Sequence, residues 1–282
     1  MNVEIFVKGR RLKQSKVMMR RYFPILLLAL GTFGAGLVVV PSAMAQEPQE
    51  IVDRMVEENR FGFDTGVAEV HLNVTDRNGY VKKQVLESKA DKKGPGGMRR
   101  ALITFLLPKD VTGTKFLSLE SKDGQDEQWL YLPALRRKRR IRGAAKQGRF
   151  MGTDFSYADL DFGDLREGAV RKLPDGTLGK KKRPVWIIEV VPKAKTGGYS
   201  KIVMWVDQSF YLPLKIEFYD RAEKLQKILS VLKLKKRDGK PYASKIRMRN
   251  VQANTSTVME VRSLQEQKDI PDNLFDPSLL AR

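Results

Sequence analysis

From Gly66 onward, apolar and polar positions alternate with a period of two through most of the chain. "GVAEVHLNV" (Gly66–Val74) sets apolar side chains at every second position, and "VKKQVLESKA" (Val81–Ala90) returns after "RNGY". The Asn78-Gly79 pair between them predicts a type I′ hairpin turn. Further strands are predicted at "RRALITFLL", which stops at Pro108, and at "TKFLSLES", "EQWLYLP", "RPVWIIEVVP" and "KIVMWVD". "YLPLKIEFYD" predicts a half-buried antiparallel strand with Leu212, Leu214, Ile216 and Phe218 on one face and Tyr211, Lys215, Glu217 and Tyr219 on the other. "LQKILSVLKL" fits either period, and its place after an Asp-containing turn among strands favours a strand. "ASKIRMRNVQ" and "STVMEVRSL" complete the series, and "IPDNLFDPSLL" predicts capped short helical turns.

Two segments depart from this pattern. "QEPQEIVDRMVEENR" places Ile51, Met55 and Val56 at i, i+4, i+5 spacing, which predicts a short amphipathic helix. "PILLLALGTFGAGLVVV" is continuously apolar, follows seven basic side chains from Lys8 to Arg21, and precedes "AMA" at Ala43–Ala45. A basic, an apolar and a small-x-small region in that order predict an export signal over residues 1–45, cleaved before Gln46. "RRYF" at Arg20–Phe23 hints at a twin-arginine route, although Pro24 favours the general secretory one. Residues 46–282 are then one domain, expected in the periplasm as a monomer.

Several strands, among them "ALITFLL", "VWIIEVV" and "IVMWV", are apolar at consecutive positions and need cover on both faces. Either a sheet curled around an apolar cavity or a packed two-layer sandwich supplies it. The expected class is therefore mainly β with a few helices, α+β.

Charge and composition narrow the chemistry. The 282 residues include 53 Lys+Arg against 33 Asp+Glu, one His and no Cys, a formal net charge of +20. An anionic partner is expected, and export removes nucleic acid from the choices. Without cysteine there is no thiol catalysis, and no phosphate-binding glycine loop or paired His ligands occur. His71 sits in an alternating strand as a face residue. No enzyme activity, metal or other cofactor is expected.

The charge is also segregated. Residues 136–149 hold eight basic side chains and no acid, while residues 150–165 hold four aspartates and no base. Adjacent blocks of opposite sign predict that some of the arginines fold back on the aspartates. Ser156 and Asp159 stand at S-x-x-D capping spacing, so Asp154, Ser156 and Asp159 are assigned to capping and ion pairing.

The blocks "LLPKDVTGTKFLSLE", "DEQWLYLPALRRKRRI" and "RFMGTDFSYADL" resemble the LolA-like family of outer-membrane lipoprotein-sorting proteins, in its uncharacterised branch. The resemblance is densest over 105–160 and continues through "YSKIVMWVDQSFYLPLKIEFYD" to the C-terminus. It implies an incomplete antiparallel β-barrel with a helical lid over an apolar cavity, and a carrier of lipid or lipoprotein acyl chains. An inner-membrane lipid exporter is the further partner it implies, and the basic charge adds an anionic membrane surface as another. On that reading Leu102, Ile103, Phe105, Trp129, Met204, Trp205, Leu212 and Leu214 are the cavity candidates. Arg136, Arg137, Arg139 and Arg140 would meet headgroups or a partner at its rim. The rival reading is a non-catalytic adaptor that docks on a transporter or anionic membrane through its basic surface. The arginine that locks the lid in the lipoprotein chaperone has no counterpart assignable from this sequence.

Overall fold

The structure, a computed structural model, describes residues 47–58, 65–121, 126–160, 165–193, 198–237, 239–267 and 269–281. The expected export signal lies outside the described residues.

Among the described residues, one α-helix, α1 (Pro48–Glu58), precedes thirteen strands that form a single sheet with every neighbouring pair antiparallel. The strands are β1 (Gly66–Thr75), β2 (Val81–Gly94), β3 (Met98–Leu107), β4 (Lys115–Leu119), β5 (Glu127–Leu132) and β6 (Arg137–Ile141), then β7 (Ala169–Leu178), β8 (Arg183–Val191), β9 (Lys201–Asp207), β10 (Pro213–Tyr219), β11 (Leu225–Arg237), β12 (Lys240–Asn250) and β13 (Thr255–Gln265). Their spatial order is β6-β5-β4-β3-β2-β1-β13-β12-β11-β10-β9-β8-β7. The first and last strands thus pair at the middle, and β6 and β7, which are consecutive in the chain, form the two free edges. This is the incomplete antiparallel barrel with a helix on its inner face, open between β6 and β7.

Both edges resist pairing with another sheet. β6 consists of Arg137, Lys138, Arg139 and Arg140 before a buried Ile141, and β7 carries Pro174 and a register shift between Leu173 and Gly176. Charge, proline and bulges are the usual protections of an exposed edge. They also hide such strands from sequence periodicity.

The largest core lies on the inner face. Ile51, Val52, Met55 and Val56 of α1, none more than 2% exposed, pack with Phe105, Ile188, Met204, Ile216 and Met248 of the sheet. The segment joining β6 to β7 crosses the same face, with Phe150, Phe155 and Tyr157 buried in that core. Phe150 makes edge-on contacts with Phe116 and Tyr157, at centroid separations of 5.2 and 5.6 Å.

The outer face carries two separate apolar clusters. Leu102 and Leu117 pack under Ile270, Phe275 and Leu280 of the C-terminal segment, while Val185, Leu212 and Leu214 form the other. The strands that are apolar on both faces therefore take part of their second cover from the chain's own C-terminus rather than from one shared cavity.

Two local expectations are corrected. The turn after β1 is not type I′: Gly79 has a positive φ and Asn78 does not, because the Asp76 carboxylate accepts from the amides of Asn78 and Tyr80, each at 2.9 Å. In β10 a bulge between Pro213 and Lys215 breaks the alternation. It sends Leu212 and Leu214 to the outer cluster and Ile216 and Phe218 to the inner one.

Candidate functional site

The inner face is an apolar surface covered by one short helix and one crossing segment, and the two are held differently. The crossing segment is fixed by buried polar groups. Asp154 accepts from the hydroxyls of Thr255 and Thr257 on β13, while its amide donates to Thr257 Oγ1 at 2.9 Å. Asp159 Oδ2 accepts from Lys227 Nζ on β11 at 2.9 Å and from the Ser156 amide at 2.7 Å, and its Oδ1 accepts from the Tyr199 hydroxyl at 2.7 Å. Ser156 Oγ in turn accepts from the Asp159 amide, which completes a reciprocal cap. Gln84 and Gln128 donate to the carbonyls of Met151 and Tyr157. Burial, with the charge of Asp159 beside it, raises the Tyr199 phenol far above its ordinary range, so it is a neutral donor.

By contrast, α1 is held by apolar packing and few polar contacts. Gln49 donates to the Arg166 carbonyl at 3.2 Å and Arg54 to the Tyr211 hydroxyl at 3.0 Å. At its C-terminus Arg99 of β3 donates to the carbonyls of Val56, at 2.7 Å, and Glu57. These carbonyls belong to the last turn, whose peptide dipoles favour a cation. Arg99 is thus the functional candidate that sequence reasoning missed. Its only trace in the sequence is a charge at an inner-facing strand position, two residues before Ala101 and in phase with Ile103 and Phe105.

The eight apolar candidates do not share one lining. Phe105 and Met204 lie in the inner core, fully buried, with Ile103 packed against it. Leu102 and Trp129 lie on the outer face under the C-terminal segment. Trp205, Leu212 and Leu214 belong to the second outer cluster, where Lys215 Nζ sits 4.0 Å from the Trp205 ring centre.

The basic run is divided as well. Lys138 and Arg140 flank the Trp129 ring on the outer face; Lys138 donates to the Pro277 carbonyl and Arg140 to Glu127 at 2.6 Å. Burial raises the Tyr157 phenol above its ordinary value, against the opposing hydrogen bond and charge of the exposed Arg139. Arg149 donates to the carbonyls of Thr153 and Gly152 and lies 3.7 Å from Asp154, which is the fold-back of base on acid that the sequence suggested. Asp159 takes its cation from β11 instead. Among the described residues, Arg136 and Arg137 make no side-chain ion pair or hydrogen bond. Both are exposed at one end of the sheet.

A polar cleft of about 500 Å³ lies beside the crossing segment, lined by Arg149, Asp154, Tyr199, Asp220, Arg221 and Lys227 among others. Its carboxylates are saturated by structural donors, and Asp220 is held below its ordinary value chiefly by the Gln252 amide at 2.7 Å. No group of three or more His, Cys, Asp and Glu side chains stands ready for a metal among the described residues. His71 pairs with Glu69 on the exposed face of β1.

Residues 97–282 match the model of a family of uncharacterised proteins. The chain belongs to this DUF1329-like family. Its structure is similar to that of a domain from Vibrio parahaemolyticus assigned to outer-membrane lipoprotein sorting, at 32% identity and a TM-score of 0.74, covering 83% of this chain and 98% of that one. A DUF1329 family protein from Desulfovibrio piger aligns equally well, with TM-score 0.74, 27% identity, and 83% and 97% of the two chains covered. A LolA superfamily protein from Nitrosomonas europaea shares the fold at TM-score 0.64 and 16% identity, over 82% of this chain and 98% of that one. No curated protein matches the chain. The neighbours' assignment to lipoprotein sorting is compatible with a periplasmic setting.

Proposed function

We propose that the protein is a non-catalytic periplasmic carrier, exported by cleavage of residues 1–45, that binds lipid or lipoprotein acyl chains against the inner face of its sheet after α1 withdraws. The observation that carries this reading is the contrast on that face. The crossing segment is riveted by buried charges, while α1 rests on four apolar side chains and few polar contacts. The likeness to the lipoprotein-sorting domain supports the same direction.

The energies of exchange are balanced. Burying Ile51, Val52, Met55 and Val56 contributes about 6–12 kcal/mol at about 1.5–3 kcal/mol each. A sixteen-carbon chain with about 14 methylenes gains about 11 kcal/mol on the same surface, at about 0.8 kcal/mol per methylene. An acyl chain therefore replaces the helix at little net cost, which suits loading and release better than permanent storage. Phe105, Met204 and Ile103 then contact cargo. Leu102, Trp129, Trp205, Leu212 and Leu214 hold the outer face.

Mass spectrometry of lipid extracted from the purified protein, together with titration of the stripped protein by a fluorescent fatty acid, tests the reading. Acyl lipid is expected at near one per chain, with saturable probe binding. A protein that yields no lipid and binds no probe is not a carrier.

A further inference from the structure

Apolar exposure is concentrated at one end of the sheet. Seven large apolar side chains are exposed among the described residues, and six of them, Tyr80, Val81, Leu106, Leu107, Leu135 and Val191, lie where strands end on the same side. The seventh, Leu232, is within β11. At the opposite end the described turns are Pro95–Gly97, 179–182 ("GKKK") and 208–210, with no comparable exposure.

Three neighbouring turns carry most of this surface: β1–β2, β3–β4 and β5–β6. Lys82 Nζ reaches Asp110 Oδ2 at 2.7 Å, linking the first to the second. A Cβ on Gly113 would lie 3.6 Å from Pro133, which places the second against the third. On these tips Tyr80 is 71% exposed, Leu107 55% and Leu135 62%.

The tips are ordered by their own hydrogen bonds. Asp76 closes the first, Thr112 Oγ1 donates to the carbonyls of Leu106 and Pro108 in the second, and the Arg136 amide donates to the Pro133 carbonyl in the third. Rigid turns that present leucine and tyrosine to water gain nothing for the fold by doing so. Exposed Arg77, Lys109, Arg136 and Arg137 surround them, while the nearby carboxylates of Asp76 and Asp110 are engaged locally.

We propose that this end of the sheet docks on an anionic lipid bilayer, with Tyr80, Leu107 and Leu135 entering the interface and Arg77, Lys109, Arg136 and Arg137 meeting lipid phosphates. Apolar side chains held at the tips of three neighbouring turns are placed to enter a deformable interface. An aromatic at headgroup depth and a basic surround are the matching features of an interfacial contact. The inference goes beyond acyl carriage and stands without it.

The test is vesicle flotation of protein purified from cells expressing the full chain. Vesicles of phosphatidylethanolamine with phosphatidylglycerol are compared with phosphatidylcholine alone. Wild-type protein is expected to float with the anionic vesicles and to release as salt rises. The triple variant Y80S/L107S/L135S is expected to lose binding on the order of a hundredfold. Each of Arg136→Gln and Arg137→Gln is expected to lose about fivefold. Because these side chains are exposed, unchanged thermal melting verifies that the variants fold, and the fatty-acid titration reads acyl binding separately. Lost flotation with retained probe binding supports docking. Flotation without any probe binding supports docking and defeats the carrier reading. A triple variant that floats like wild type overturns the inference, as does a wild-type protein that ignores anionic vesicles, which is the outcome expected of a protein-docking surface.

Discussion

Replacing Arg99 by alanine separates the clamp on α1 from the packing beneath it. The guanidinium donates to two carbonyls in the helix's last turn. Hydrogen bonds from a charged donor contribute about 1.5–3 kcal/mol each. Arg99 is partly exposed, so solvent screening brings the pair down to about 2–3 kcal/mol. Since about 1.4 kcal/mol is a factor of ten, withdrawal of α1 should become about 30- to 150-fold more populated. If cargo occupies the surface that α1 leaves, apparent affinity rises with the fraction of competent protein. Fluorescent fatty-acid binding should therefore tighten by that factor in Arg99→Ala, and by less in Arg99→Lys, which keeps a cation near the helix end. Hydrogen exchange of the amides at 51–56 gives the opening directly. Faster exchange by the expected factor with unchanged probe affinity would refute the argument, since helix and ligand would then not compete for one surface.

The remaining predictions concern the elements that hold the sheet. Arg100→Leu removes the bidentate partner of buried Asp91, at 2.9 and 2.8 Å, and should destabilise the protein by about 3–5 kcal/mol in urea unfolding. Burial alone would raise the Asp91 carboxyl, but the Arg100 hydrogen bonds and charge, with the Lys93 amide and charge, outweigh it and hold it below its ordinary value. Its stabilisation is therefore present above an unfolded pKa of about 3.9 and lost as pH falls through the lower folded value, a slope expected to vanish or invert in Arg100→Leu. Lys227→Met leaves Asp159 buried without its cation and should cost about 3–5 kcal/mol, against about 1–3 kcal/mol for Tyr199→Phe. Equal losses by calorimetry would contradict the ion pair as the main rivet. Arg137→Val with Arg139→Thr strips charge from the free edge β6, and light scattering should show concentration-dependent association.

Alternation or a short apolar run bounded by turn residues made β1–β5, β8–β10, β12 and β13 legible in the sequence, whereas β11 fits either period and was placed as a strand by its position after a turn among strands. β6 and β7 were not legible as strands, since an unpaired edge selects charge and bulges over periodicity. The amphipathic helix was legible from Ile51, Met55 and Val56, and the S-x-x-D cap from Ser156 and Asp159. The split of the eight apolar candidates was not. Which face a strand position takes depends on bulges, and one at Pro213–Lys215 moved Leu212 and Leu214 away from Ile216 and Phe218. The outer cover over Leu102 and Trp129 comes from residues 270–280, a contact between distant segments that no local pattern encodes.

The topology explains why buried charge sits in the crossing segment and not in α1. With β1 and β13 paired at the middle of the sheet, the chain finishes one half at edge β6 and must restart at the far edge β7. The connection has to run over the inner face, where its backbone polar groups lose water and need partners from the sheet. Gln84, Gln128, Thr257 and Lys227, on β2, β5, β13 and β11, occupy inner-facing positions and supply them. α1 satisfies its own backbone up to its last turn and adds an apolar stripe with polar contacts that are only part-buried or exposed, so it leaves at a smaller polar cost than the crossing segment, whose partners are buried. If the inner face admits a ligand, the energetic path is through the helix, with Arg99 as its latch.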